Sequence, residues 1–202
     1  MVFIIGAGGF SKQVIDILKM KNIHITGVFD NLLSKGSIYY YQYPIIDKID
    51  NIKKYLKKDS KLFCGIGDNQ FRKNIVQDLP QELFINCISP LSNISVTSNL
   101  GFGNYVGHFS NIISDSKLGN FNFINDGVCI GHDVNIGNYN HLAPHVCLGG
   151  YVSIKDINFL GTNSTIIPKV SIGSNNIIGS NTNVLKTISD NNKLVGNPAK
   201  LI

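Results

Sequence analysis

Tryptophan is absent, methionine occurs only twice, and 15% of the 202 residues are charged, against about 25% in ordinary soluble domains. With 43% hydrophobic residues the chain has ample material for a packed core, so disorder is excluded. No apolar run approaches the roughly 18 residues that span a bilayer, and Met1-Val2-Phe3-Ile4-Ile5 lacks the basic opening of a leader. A soluble, cytoplasmic protein without a membrane partner is expected. The charge is modest: +4 over Met1 to Cys87 and +1 over Ile88 to Ile202. Neither half reads as a nucleic-acid binder. The four cysteines (Cys64, Cys87, Cys129 and Cys147) contain no C-x-x-C pair, which argues against a zinc site or a secreted disulfide framework. They read as free thiols.

Glycine, in contrast, is abundant, at 20 residues, and much of it belongs to a repeat. From Ile88 to Val184 every sixth residue is Ile, Leu or Val, seventeen times without a break. At this composition the chance of such a run is on the order of one in a billion. Two residues before each aliphatic stands a small or β-branched residue, or else an asparagine: Asn86, Asn104, Asn122, Asn140, Asn158 and Asn176, each 18 after the last. Alternating strand geometry turns both positions inward. An 18-residue superperiod means that three hexapeptides close one coil, which stacks the asparagines into a hydrogen-bonding ladder. The position after the aliphatic is glycine nine times, as expected where strands end in tight corners that need a permissive backbone. This half resembles the hexapeptide-repeat left-handed parallel β-helix, and its ending, Val195-Gly196-Asn197-Pro198-Ala199-Lys200, is similar to the V-G-x-P-A-K tail of acyltransferases of that class.

The first half reads differently. Val2 to Ile5 is a buried-strand run that leads into Gly6-Ala7-Gly8-Gly9-Phe10-Ser11, followed by an amphipathic helix from Lys12 to Lys21. Strand, glycine turn and helix is the order that cradles phosphate. The third glycine of the dinucleotide fingerprint is replaced by Ser11, and about 85 residues supply only half of a dinucleotide fold, so a mononucleotide or nucleotide-sugar pocket is expected. A second strand, Ile23 to Phe29, ends in Asp30, placed for a ribose or base contact. A third, Leu62 to Ile66, runs into Gly67-Asp68-Asn69 and a helix through Arg72 and Val76. Gly8, Gly9, Asp30, Gly67, Asp68 and Asn69 are the candidates for holding the nucleotide. The lysines at 53, 54, 57, 58 and 61 read as a solvated helix face.

Acyl transfer to an amine or hydroxyl needs a base, and histidine is the usual one. His24 and His108 read as structural, whereas His132 and His141 fall in Ile130-Gly131-His132-Asp133-Val134-Asn135-Ile136-Gly137-Asn138-Tyr139-Asn140-His141. With the glycine-rich opening and the tail, this motif makes the chain similar to sugar-nucleotide N-acetyltransferases, relatives of the sialic-acid O-acetyltransferases. The resemblance implies an α/β plus all-β chain: a small Rossmann-like N-terminal domain (1–87) that binds the nucleotide sugar, then a left-handed parallel β-helix with its tail (88–202) that binds acetyl-CoA. It implies that His132 is the catalytic base and Asp133 its supporting carboxylate. His141, Asn125, Gly150, Gly161 and Gly179 would contact acetyl-CoA, Gly150 facing the thioester. The acceptor would be a nucleotide-activated 4-amino-4,6-dideoxyhexose, and no metal is expected. O-acetylation of a sialic acid, a zinc lyase built on His132, His141 and His145, and a non-catalytic β-helix scaffold or sensor are the rivals.

Spacing adds two expectations of its own. His132 and Gly150 differ by one coil, so they should stack about one strand spacing, ~4.8 Å, apart. His132 and His141 differ by half a coil, so a shared site must form across a subunit boundary, for which a cyclic homotrimer is expected.

Overall fold

Four consecutive apolar residues, all buried, form β1 (Val2–Ile5), an inner strand of a five-stranded sheet. In the computed structural model, which describes all 202 residues, β1 pairs in parallel with β2 (Ile25–Phe29) and β5 (Lys61–Cys64). The edge is completed by β4 (Tyr43–Asp47) beside β2 and β3 (Ile38–Tyr39), the one antiparallel member. Between β1 and β2 runs α1 (Gly9–Met20), whose apolar stripe of Val14, Ile15, Ile17 and Leu18 is fully buried.

Helix α1 starts three residues earlier than the apolar pattern alone suggested, because Ser11 belongs inside it. The Ser11 hydroxyl is buried and donates to the Gly6 carbonyl at 2.6 Å and the Gly65 carbonyl at 3.2 Å, tying the loop after β1 to the loop after β5. A side chain at Gly65 would collide with that hydroxyl. The expected strand from Ile23 begins at Ile25, with Ile23 and His24 as its approach. Helix α2 (Asn69–Val76) follows β5 as expected. Lys53 and Lys54 end a short 3-10 segment (Ile49–Lys54), and all five lysines of that stretch are exposed.

Contacts divide the chain into two compact units, Met1–Pro90 and Leu91–Ile202. The first closes with the short strand β6 (Cys87–Ile88). The second is a parallel β-helix. Its two-residue strands recur every six residues from β7 (Asn93–Ile94) to β22 (Asn183–Val184), and each pairs with the strand 18 residues away. Three sheets result: one takes every third strand from β7 to β22, and a second runs from the strand Asn99–Leu100 to the strand Ser171–Ile172. The third includes the corresponding strands from β9 (Tyr105–Val106) to β21 (Ile177–Ile178) and is extended by the tail strands β23 (Lys193–Val195) and β24 (Lys200–Leu201).

The interior is the stack that the period requires. Ile112, Ile130, Leu148, Ile166 and Val184, one per coil, are each at most 1% exposed. The asparagine ladder is also formed: the Asn140, Asn158 and Asn176 amides each donate to the side-chain oxygen of the asparagine one coil before, at 3.0–3.1 Å. Each of those oxygens also accepts the backbone N–H of the next asparagine, so these buried amides are paired on both sides.

The glycines serve another purpose than the one expected. None of the nine that follow an aliphatic has a positive φ; the left-handed residue of each corner comes two positions later. Twelve of these left-handed residues are not glycine, among them Phe109, Asp133, Tyr139, Ile157 and Lys169. What the nine glycines provide is close approach. A Cβ on Gly131 would lie 2.8 Å from the Gly150 nitrogen, and one on Gly161 2.6 Å from the Ser180 nitrogen. Adjacent coils are packed backbone to backbone there.

Candidate active site

His132 stands on the corner after β13 (Cys129–Ile130), half-exposed, and its neighbour Asp133 takes the left-handed conformation at φ 56°. Aspartate tolerates that conformation because its short side chain can bond locally. Here it bonds to His132: Nδ1 lies 2.8 Å from Asp133 Oδ2. An ionised carboxylate only accepts, so Nδ1 carries the proton and Nε2 is left with its lone pair. The Asp133 backbone is held in turn, its N–H donating to the Ser114 carbonyl at 3.0 Å.

One coil on, on the corner after β16 (Cys147–Leu148), is Gly150. A Cβ at Gly150 would sit 2.6 Å from His132 Nε2, so the missing side chain is what leaves room beside the basic nitrogen. Tyr151 follows, its ring edge-on to the imidazole at 5.1 Å and its N–H donating to the His132 carbonyl at 3.0 Å. Tyr151 lies 18 residues from Asp133, and that one-coil spacing is its only mark in the sequence.

The backbone on this edge differs from that on the edge of Phe102 and Asn120. Along the edge of Phe102, Asn120 and Asn138 the N–H of the corner residue is taken by a side chain one coil on: Phe102 by Asn120, Asn120 by Asn138, and Asn138 by Asp156, at 2.6–3.0 Å. The residue one coil after His132 is Gly150, and after Gly150 it is Pro168, neither of which has an accepting side chain. The N–H groups of His132 and Gly150 therefore have no hydrogen-bond partner in the chain. A basic nitrogen beside a free backbone donor can remove a proton and stabilise an oxyanion at one place.

The second group of expected residues lies on another edge. His141 projects from β15 (His141–Leu142), between Phe123 and Phe159, whose rings meet it edge-on at 5.8 and 5.2 Å. The Asn125 amide donates to the Leu142 carbonyl at 3.0 Å and to His141 Nε2 at 2.8 Å. A carbonyl accepts only, which fixes the amide's orientation and places the His141 proton on Nδ1. Asn125, Gly161 and Gly179 share the edge that follows this face. Within one chain His132 with Gly150, and His141 with Asn125, are thus two separate sets. At Gly161 and Gly179 the structure shows tight packing, against the Ser180 nitrogen and Val195 respectively. His145 lies exposed over Gly127, and no cluster of three His, Cys, Asp or Glu side chains is arranged for a metal.

The N-terminal unit holds a cleft of about 540 Å³ with Gly6, Gly8, Gly9, Asp30 and Gly67 in its walls beside Leu32, Leu33 and Phe71. Gly8, Gly9 and Gly67 leave open space where side chains would stand. The first residues of α1, Gly9 and Phe10, line the cleft, and no acidic residue occupies the first turn of that helix. Asp30 borders the cleft, but its carboxylate is engaged in holding the loops: it accepts from Ala7 N at 2.7 Å, Leu32 N at 2.8 Å and Leu33 N at 3.0 Å. Asp68 and Asn69, the remaining candidates for the nucleotide, are both engaged in α2. Asp68 caps the helix by accepting from Phe71 N at 2.7 Å, and buried Asn69 accepts from the buried Arg72 guanidinium at 2.9 Å. Arg72 also donates to the Ile66 and Gly67 carbonyls and so shapes the cleft wall. Tyr39 is a further positioning residue that the sequence did not reveal. Its hydroxyl donates to the Gly8 carbonyl at 2.7 Å, and burial followed by the Asp30 charge pushes its pKa up to about 12.

Comparison with known proteins covers both units. Residues 1–79 match the family model of the PglD N-terminal domain. Over the whole chain the structure is similar to PerB from Caulobacter crescentus, solved in complex with CoA and GDP-perosamine, with a TM-score of 0.93, 29% identity and 96% of that chain covered. The acetyltransferase domain of PglB from Neisseria gonorrhoeae (TM-score 0.91, 22% identity) and WeeI from Acinetobacter baumannii (TM-score 0.90, 24%) share the fold. Each is matched over all of this chain and over 98% and 99% of its own. Protein L142 of Acanthamoeba polyphaga mimivirus is 45% identical over 106 residues, 52% of this chain; the match spans about a fifth (21%) of that relative's length.

Proposed function

We infer the reaction from the family to which the chain belongs, the sugar-nucleotide acetyltransferases of the hexapeptide left-handed β-helix class. The protein moves the acetyl group of acetyl-CoA to the amine of a nucleotide-activated amino-deoxy sugar, a 4-amino-4,6-dideoxyhexose. PerB, its relative in solved structures, binds GDP-perosamine. The observation that carries this reading is His132 Nε2, oriented by Asp133 and open on the side where Gly150 has no side chain.

The chemistry is direct transfer in a ternary complex. The sugar amine attacks the thioester carbonyl while Nε2 accepts the amine's proton. The Gly150 N–H donates to the oxygen as it gains charge, and Asp133 stabilises the imidazolium that forms. His141 and Asn125 contact the CoA portion from a neighbouring protomer of a homotrimer, since one chain keeps them apart. The N-terminal cleft holds the nucleotide, its phosphates at the N-terminus of α1.

The test is a panel of nucleotide sugars with amine or only hydroxyl acceptors, read by CoA thiol release. Release with amino sugars alone is expected, and release with none of them overturns the reading. His132→Ala should lower kcat by about 10² to 10⁴-fold, the usual worth of a general base, while leaving the oligomer and its CoA affinity intact. Turnover near that of the unaltered protein would remove His132 from the mechanism.

A further inference from the structure

The transfer chemistry leaves one reactive pair unused. Cys129 and Cys147 are register partners on adjacent parallel strands, β13 and β16, and both point outward, since Ile130 and Leu148 beside them are buried. Cys147 is exposed, Cys129 half-buried, and neither is in a disulfide. The other outward residues of this row are Asn93, Asn111, Thr165 and Asn183, so it carries two thiols and no more.

We propose that Cys129 and Cys147 form a dithiol modification site, at which reaction with a low-molecular-weight disulfide closes a reversible cross-link between two successive coils. Neighbouring strands lie about 4.8 Å apart, inside the roughly 4.4–6.8 Å between Cα atoms that a disulfide spans and near its lower end. A bond between them can therefore close without parting the coils, and a thiol reductant reopens it by the same exchange. The exchange takes two steps. The Cys147 thiol gives its proton to solvent, and the thiolate attacks the small disulfide, expelling one thiolate and leaving a mixed disulfide. The Cys129 thiolate then attacks the Cys147 sulfur and expels the second. Two protein thiols are oxidised and one small disulfide is reduced to two thiols.

Cys147 is the entry point because it is exposed. Burial of part of its surface, and Cys129 beside it, raise its pKa above the ordinary thiol value. The thiolate fraction at neutral pH is accordingly small, and the reaction should accelerate as pH rises. The coils joined are those that carry His132 and Gly150, three residues beyond each cysteine. Cys64 and Cys87, fully buried in the N-terminal unit, serve as internal controls.

The full-length protein is incubated with oxidised glutathione at neutral and mildly alkaline pH, and its mass and free thiols are read after alkylation. None of this depends on acetyl transfer. The expected product of the unaltered chain has lost two hydrogens, retains Cys64 and Cys87 as thiols, carries no glutathione and is restored by dithiothreitol. Cys129→Ser should instead accumulate one glutathione adduct on Cys147, and Cys147→Ser should react far more slowly. Four free thiols in the treated protein would overturn the proposal. So would a stable adduct on Cys147 that persists equally with Cys129 present, or a cross-link between chains.

Discussion

At Gly150 a single methyl group separates two uses of glycine in this fold. A Cβ there meets the tip of the His132 ring, 2.6 Å from Nε2, whereas a Cβ on Gly131 meets the backbone of the next coil at 2.8 Å. A ring half-exposed to solvent can turn aside; a packed backbone cannot without parting the coils. Gly150→Ala should therefore keep its melting temperature within a few degrees while kcat falls by about 10²-fold, the scale of loss when a reacting group is misplaced by an ångström. Gly131→Ala should do the reverse and melt early. Calorimetry beside steady-state kinetics distinguishes the two, and a Gly150→Ala protein with full activity would show that the space beside Nε2 is not used.

At the level of the coil, regularity is maintained at a conformational cost. Twelve corner residues other than glycine hold φ between 55° and 67°, a region that costs an L-residue roughly 1–2 kcal/mol. The ladders offset it: eleven of these corner N–H groups donate to a carbonyl of the preceding coil, as Lys169 N does to Gly150 O at 3.0 Å, and Asp115 N donates to the Thr97 hydroxyl. Asparagine tolerates this conformation and already occupies it at Asn163, Asn175 and Asn181. Lys169 is exposed, so Lys169→Asn removes little packing. It should stabilise the protein by about 1 kcal/mol in denaturant titration, and an unchanged or lower midpoint would show that the strain is relieved elsewhere.

For the molecule as a whole, an 18-residue coil puts His132 and His141 on different edges, and the proposed site is complete only where two protomers meet. An active monomer in light scattering would contradict it. The segment from Ile88 onward should retain the trimer and CoA binding but lose affinity for the nucleotide sugar, because the glycine-walled cleft lies wholly before it. Calorimetric titration of both forms decides this: equal affinity for the sugar nucleotide would give the N-terminal unit another role.

What the sequence determined by itself was whatever repeats or is local. Each aliphatic of the six-residue series meets the same interior in every coil, so periodicity alone specified the strands, their partners and the asparagine ladder. The glycine turn and the apolar stripe after it likewise announced β1 and α1. Tertiary structure decided everything that depends on what lies across from a residue. The helix begins at Gly9 because Ser11 bonds across to Gly65, the corner glycines are needed for contact between coils rather than for their own torsions, Asp68 caps α2, and Asn69 turns inward to Arg72. Tyr39 reaches Gly8 from 31 residues away, and no local pattern encodes that contact. Spacing placed Gly150 one coil from His132, but only the fold turns Nε2 toward it, through a left-handed aspartate that takes the other ring nitrogen.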